Sequence, residues 1–349
     1  MGYRTIVVGT DGSVTANAAQ RAAVTMAKRT KARVVLVCGW DPARTNRPLA
    51  EQTLRRAEAA VRRENVDVQA ELLRGEPAEL ILKTAERHGA DLIVVGNKGI
   101  GEATRFRLGS VPDRIAHSSI CDILIVDTTG AVDAGRTEAR PYKKLVVGTD
   151  GSPTATEAAR KCMELAMQLR AEVTLVYVGD PVVGAIALEE TSAARPERVE
   201  VRTRVLQGDP SEQLCRVAEE DDIDLMVVGN KGMSGARRIL LGSVPNNLAH
   251  YAPTDVLIVK TVDLSLDDVQ PGHGAVIQIG GGRRVAAFRD EDGAVHALSP
   301  RCTHMGCTVD WNDADKTWDC PCHGSRYGTD GEVIRGPAEK ALAKQDVPS

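Results

Sequence analysis

Residues Ala90–Val126 read ADLIVVGNKGIGEATRFRLGSVPDRIAHSSICDILIV, and residues Ile223–Val259 read IDLMVVGNKGMSGARRILLGSVPNNLAHYAPTDVLIV. Both stretches run in the same order: apolar run, glycine-rich turn, helical segment, second apolar run. The likeness extends outward. TIVVGTDGSVTANAAQRAA from Thr5 returns as KLVVGTDGSPTATEAARKC from Lys144, and RGEPAELIL from Arg74 returns as QGDPSEQLC from Gln207. Self-similarity over this length means that one structural unit occurs twice.

Each copy alternates β-branched apolar runs of strand length with longer segments of helical period. In the first copy the runs are IVVG, VVLVC, VQAELL, LIVVG and ILIV, while Ala16–Thr30, Arg55–Glu64 and Ala78–His88 have helical period. Strands that are apolar at nearly every residue need cover on both faces, and the intervening helices supply it. Each copy is therefore expected to be a doubly wound α/β domain on a parallel sheet, the first at 1–128 and the second at 142–261. Residues 129–141 are Gly, Ala and charge without period and read as a linker, as do residues 262–273. From Gly274 the pattern changes to short alternating strands broken by Gly-Gly-Gly and Asp-Gly turns, so 274–349 is expected to be a small antiparallel all-β domain.

Composition narrows the function classes. A chain of 349 residues can build two or three cores, and a net charge of -4 with scattered Lys and Arg gives neither a nucleic-acid stripe nor a polybasic membrane patch. No run approaches the ~20 apolar residues of a membrane span. No charged segment followed by an apolar stretch and a small-residue cleavage site opens the chain, so a soluble, cytoplasmic protein is expected. Of the eight cysteines, Cys38, Cys121, Cys162 and Cys215 sit alone in apolar contexts and read as small buried hydrophobes. Cys302, Cys307, Cys320 and Cys322 instead crowd into one short stretch.

In a doubly wound sheet, ligands lie in the crevice beyond the carboxyl ends of the strands. The first copy leaves its first strand through Gly9-Thr10-Asp11-Gly12-Ser13 and its fourth through Gly96-Asn97-Lys98-Gly99, with Gly109-Ser110 nine residues further on. Glycines let backbone N–H groups approach phosphate oxygens, and Ser110 can open a helix while offering a hydroxyl and an amide to the same anion. Asp11 suits ribose hydroxyls or a magnesium ion. A plainer account makes Asp11 and Ser13 turn and cap residues and the glycines loop-shapers. The second copy repeats the pattern at Asp150, Gly229, Gly232, Gly242 and Ser243, but carries Leu240 where the first has Arg107, so the two sites are expected to differ in affinity. No Walker-type P-loop is present, which argues against a P-loop ATPase. His117 and His250 fall late in equivalent helices and read as complements of the last carbonyls.

Both copies resemble the universal stress protein family, whose nucleotide-binding members carry G-x-x-G, nine residues, then G-[ST]; here these are Gly96, Gly99, Gly109, Ser110 and Gly229, Gly232, Gly242, Ser243. The resemblance implies a Rossmann-like domain that binds ATP or another adenine nucleotide, usually dimerises, and acts as a sensor more often than as a fast enzyme. Asp11 and Asp150 match the family's acidic residue beside the nucleotide. The two copies could pair within one chain through their last strands, or between chains as a homodimer.

In the last domain the candidate ligands form two boxes, Cys302-Thr303-His304-Met305-Gly306-Cys307 and Cys320-Pro321-Cys322-His323-Gly324-Ser325. Six soft ligands compete where zinc needs four, although a Cys2His2 zinc site is chemically acceptable. The boxes resemble the Rieske family, and the match extends over 274–349, including Gly336-Pro337-Ala338. That resemblance implies a 2Fe-2S cluster with Cys302 and Cys320 on one iron and His304 and His323 on the other. It further implies the high-potential branch, with a Cys307–Cys322 disulfide and hydrogen bonds from Ser325 and Tyr327 to sulfur. A reducing cytoplasm disfavours disulfides, so the pair is either a shielded cross-link or a reducible switch. Asp310, Asp313, Asp315 and Asp319 lie between the boxes, as a solvated hairpin or as a docking face for a basic partner.

The combination points to a soluble electron-transfer or redox-sensing protein, rather than a stand-alone enzyme, with a redox partner protein and with regulation by adenine nucleotide. The competing readings are a nucleotide-gated scaffold that delivers the Rieske domain to an oxidoreductase complex, a ferredoxin-like component of an oxygenase system, and a weak ATPase.

Overall fold

The computed structural model describes residues 2–42, 46–97, 108–128, 141–193, 195–230, 241–260, 266, 269–279, 283–304, 306–320 and 323–347. The chain divides into two units, Met1–Thr261 and Val262–Ser349.

In the first unit, copy one runs β1 (Thr5–Gly9), α1 (Val14–Thr30), β2 (Arg33–Trp40), α2 (Arg47–Arg63), β3 (Val68–Arg74), α3 (Pro77–Arg87), β4 (Leu92–Gly96), α4 (Ser110–Ser118) and β5 (Asp122–Val126). Copy two follows as β6 (Lys144–Thr149), α5 (Pro153–Leu169), β7 (Glu172–Val178), α6 (Pro181–Ala193), β8 (Val201–Leu206), α7 (Pro210–Glu220), β9 (Leu225–Gly229), α8 (Ser243–Tyr251) and β10 (Asp255–Val259). The apolar strands feed two layers. Ile6, Val8, Val34 and Leu36 pack with α1 and α2 on one face, and Val7, Val35 and Val37 pack with α3 and α4 on the other. Burying such side chains contributes about 1.5–3 kcal/mol each, which is why these strands carry no polar alternation.

The two copies share a single sheet, in the order β3-β2-β1-β4-β5-β10-β9-β6-β7-β8. Pairing is parallel within each half and antiparallel only where the halves meet, with Ile125 opposite Val256, Leu124 opposite Leu257 and Ile123 opposite Ile258. The last strands therefore pair within one chain. Within each half the strand order reverses between β1 and β4, and between β6 and β9, which opens a crevice beyond their carboxyl ends.

A buried carboxylate opens each strand of the seam. Asp255 Oδ1 accepts the Asp127 N–H at 2.8 Å, and its Oδ2 accepts the Tyr142 hydroxyl at 2.6 Å. Asp122 Oδ1 accepts the Lys260 N–H at 2.9 Å and its Oδ2 accepts the Tyr3 hydroxyl at 3.0 Å, with the Lys161 ammonium 3.2 Å away. Burial pushes the Asp122 carboxyl up, and Lys161 and the amide of Lys260 pull against that shift. Each carboxylate thus satisfies a backbone amide of the opposite copy. The histidines divide, and neither takes a last carbonyl of its helix as expected: His117 Nδ1 donates to the Asp113 carbonyl one turn back at 2.9 Å, whereas His250 Nδ1 crosses the seam to accept the Leu108 N–H at 3.1 Å.

The second unit pairs β11 (His273–Ile279), β12 (Arg283–Arg289) and β13 (Val295–Leu298) in one antiparallel sheet. β14 (Asp310–Asn312), β15 (Thr317–Asp319), β16 (Arg326–Tyr327) and β17 (Val333–Arg335) form another. β11 begins one residue before Gly274, and Val269, read as linker, is buried against Ala275 and Ile277. An apolar side chain in a polar stretch is pulled into the core it can reach. Among the described residues no helix is long and apolar enough to cross a membrane.

Replacing Asp255 with Ala strands the Asp127 amide and the Tyr142 hydroxyl inside the seam. We expect a loss of about 2–4 kcal/mol in thermal or denaturant unfolding of the full chain, against about 1 kcal/mol for Tyr142→Phe. Equal losses from the two variants would mean that the carboxylate does not anchor the seam.

Candidate functional site

In the second unit, the two cysteine-histidine boxes fold as matching loops. Cys302 N–H donates to the Cys307 carbonyl at 2.7 Å and Gly306 N–H to the Cys302 carbonyl at 2.8 Å. Cys320 N–H likewise donates to the Ser325 carbonyl at 2.7 Å, and Gly324 N–H to the Cys320 carbonyl at 3.0 Å. The tight return in each loop falls on a left-handed residue, Gly306 at φ 74 and Gly324 at φ 75, where a side chain would be strained. Ser325 in the second loop thus occupies the place of Cys307 in the first.

These loops present their ligands in two layers. Cys302 and Cys320 are buried, at 2% and 3% exposure, in a core with Val309, Trp318, Tyr327 and Leu342. His304 and His323 are exposed, and their rings stand 5.0 Å apart at 88°. Two buried thiols and two neighbouring surface imidazoles make up the donor set of a mixed-ligand two-iron cluster. Among the described residues no group of three or more His, Cys, Asp or Glu, these four included, gathers closely enough to hold a single metal ion. Cys307 is disulfide-bonded; Cys322, its expected partner, lies outside the described residues.

Hydrogen bonds converge on Cys302. The Tyr327 hydroxyl donates to its Sγ at 3.1 Å, and that hydroxyl is itself held by the Thr303 N–H at 3.0 Å. Thr303 Oγ1 in turn donates to the Lys340 carbonyl at 2.6 Å. Ser325, fully buried, accepts the Ala338 N–H at 3.0 Å, which fixes its hydroxyl beside the thiol. Burial pushes the Cys302 thiol up, but Tyr327, the His304 amide, Cys320 and Ser325 outweigh it and hold the thiol below its ordinary value. Burial, with Cys302 alongside, pushes the Tyr327 hydroxyl up, so it stays a donor. Sequence reading passed over Thr303 and the Ala338 amide. The only signal was adjacency, a hydroxyl beside Cys302 and a turn beginning at Gly336-Pro337.

The acidic hairpin is partly paired within its own unit. Asp319 accepts two bonds from Arg326 at 2.8 Å, Asp315 pairs with the same guanidinium, and Asp313 takes Lys316 and His273. Those partners hold Asp319 and Asp313 below the usual carboxylate range, Arg326 acting against burial at the first and Lys316 leading at the second. Arg326 and Lys316 are the two permanent cations set against four carboxylates, Asp310, Asp313, Asp315 and Asp319, so the hairpin keeps a net negative charge.

In the first unit, the predicted rim residues fall at the switch points. Gly96 ends β4 and Gly229 ends β9; Gly109 and Gly242 precede α4 and α8, whose first residues are Ser110 and Ser243. Gly109 N–H donates to the Asn97 carbonyl at 2.8 Å and Gly242 N–H to Asn230 at 2.9 Å, so both ends of each loop are tied. Gly99 and Gly232 lie outside the described residues. Asp11 Oδ1 accepts the Ser13 N–H at 2.9 Å and Asp150 Oδ1 the Ser152 N–H at 3.0 Å, while Ser13 and Ser152 cap α1 and α5. The turn-and-cap account therefore describes part of what both aspartates do. Helix caps set the rim apart: Ser13, Asn46, Glu76, Ser152, Asp180 and Asp209 each accept first-turn amides of their helices, whereas α4 and α8 have no side-chain cap.

Comparison with known proteins follows the same division. The Universal stress protein family model matches residues 2–127, 141–189 and 183–260, and the Rieske [2Fe-2S] domain matches 260–346. A universal stress protein of Methanocaldococcus jannaschii is 35% identical over 140 residues, covering 34% of this chain and 82% of its own length. A protein of Bacillus subtilis named for a Rieske 2Fe-2S iron-sulfur protein is 52% identical over 85 residues, 24% of this chain. The chain spans only 16% of that Bacillus protein's length. Among solved structures, a universal stress protein from Archaeoglobus fulgidus superposes with a TM-score of 0.61 at 17% identity, over 73% of this chain and 98% of its own.

Proposed function

The chain belongs to the universal stress protein family and carries a Rieske [2Fe-2S] domain, and from that premise we propose that it is an electron-transfer or redox-sensing protein whose tandem α/β copies bind adenine nucleotide. One observation carries the redox half: Cys302 and Cys320 are buried beside each other, while His304 and His323 are exposed with their rings 5.0 Å apart. In this reading the thiolates of Cys302 and Cys320 would hold one iron and the imidazoles of His304 and His323 the other. The cluster, when bound, supplies one-electron exchange at a potential raised by the neutral imidazoles. Tyr327 donates to the Cys302 sulfur and Ser325 lies beside it, and donors of that kind favour the more negative reduced form. Thr303 fixes the Tyr327 hydroxyl. A Cys307–Cys322 disulfide would tie the loops together. The exposed imidazoles are where a redox partner protein would dock.

The nucleotide half is supported by the two uncapped helices. An anion at Ser110 or Ser243 would take the first-turn amides that no side chain takes, at the switch point where such sheets bind ligands. Glycines at both loop ends leave room for phosphate, and Asp11 and Asp150 lie on the same rim as candidates for the ribose. Occupancy would then regulate the redox domain or its docking.

Purified protein is expected to contain iron and acid-labile sulfide in equal amounts, with a mixed-ligand paramagnetic signal on reduction; zinc alone would sink the cluster assignment. Tyr327→Phe should lower the midpoint potential by about 40 mV, the one-electron equivalent of a hydrogen bond of about 1 kcal/mol. In calorimetric titration with ATP, Ser110→Glu and Ser243→Glu should each remove one binding event by setting a carboxylate against the phosphates. Unchanged stoichiometry in both would rule out the rim as the site.

A further inference from the structure

We propose that His250, a residue of the second copy, positions the first copy's nucleotide site, so that the affinity of that site depends on the neighbouring copy. The inference rests on the nucleotide reading above. Leu108 directly precedes Gly109-Ser110, and its N–H donates to His250 Nδ1 at 3.1 Å across the seam. With Nδ1 accepting, the ring proton sits on Nε2, which faces Oδ1 of Asp113 in the first copy's α4 at 3.6 Å. The opposite end of α4 is gripped as well. Lys260, also from the second copy, donates its ammonium to the Ala116 carbonyl at 2.6 Å, while its N–H goes to Asp122 at 2.9 Å. Helix α4, which begins with the Ser110 of the phosphate rim, is therefore held at both ends by the other copy.

Among the described residues, helix α8 lacks the reciprocal grip. His117 occupies the place of His250 but turns to the Asp113 carbonyl of its own helix. Asp127 occupies the place of Lys260 and has no ammonium to give; Asn246 occupies the place of Asp113. Among the described residues, no side chain of the first copy takes the Leu241 N–H, the counterpart of Leu108. Among the described residues, the first site is thus preorganised from outside its own domain and the second is not. By linkage, filling the first site must strengthen the His250 contact by the factor that the contact strengthens binding.

The test uses the full chain with one site blocked at a time: Ser243→Glu leaves the first, Ser110→Glu the second. His250→Ala is expected to weaken ATP binding about fivefold in the Ser243→Glu background, the equivalent of one lost hydrogen bond, and to leave the Ser110→Glu background unchanged. His250→Asn, whose Oδ1 can accept the Leu108 N–H, should recover most of the loss; a merely space-filling role would not be rescued this way. No loss, or equal loss in both backgrounds, overturns the proposal. Absence of ATP binding in either background overturns the nucleotide reading itself. Hydrogen exchange without nucleotide separates the two failures, since the Leu108 amide should exchange faster in His250→Ala but not in His250→Asn. Unchanged exchange would show that the contact does not hold the segment.

Discussion

The antiparallel pairing of β5 with β10 is the constraint from which the rest of the first unit follows. An unpaired last strand in either copy would expose a row of backbone donors and acceptors, and a five-stranded half-sheet would end on an apolar edge. Joining the two halves satisfies both edges and continues both helix-covered cores through one sheet of ten strands. The buried carboxylates fix the register. Asp122 and Asp255 each reach past the end of the opposite strand to an amide that the ladder has run out of partners for.

Much of this was legible in the letters. Strands such as Leu92–Gly96 are apolar at every position but the last, and only a sheet covered on both faces accommodates that. The seam was less legible: an aspartate before an apolar run reads as a strand boundary, and nothing local distinguishes Asp255 from an ordinary turn acid. His117 and His250 illustrate the limit. The two occupy equivalent positions, yet only His250 crosses the seam; His117 turns to Asp113 four residues back, where His250 has Asn246.

The second unit divides the same way. The two boxes declared their chemistry by residue type, since few arrangements need thiols and imidazoles together. How the unit steadies the Cys302 sulfur did not show, because a backbone amide such as that of Thr303 or Ala338 leaves no letter of its own. Nor did the acidic run between the boxes show that strand pairing brings Arg326 beside Asp319 and Asp315.

Carrying both halves of the seam on one polypeptide changes what evolution can do with it. In a two-fold homodimer every substitution appears twice, so a residue good for one side of the axis must be tolerable on the other. Here the positions related by the pseudo-axis have drifted apart, Asp113 against Asn246 and Asp127 against Lys260. The partnership also no longer depends on protein concentration, because the two halves meet at the high effective concentration of a tether. Broken symmetry at fixed stoichiometry is what allows one copy to specialise as the support while the other specialises as the receptor.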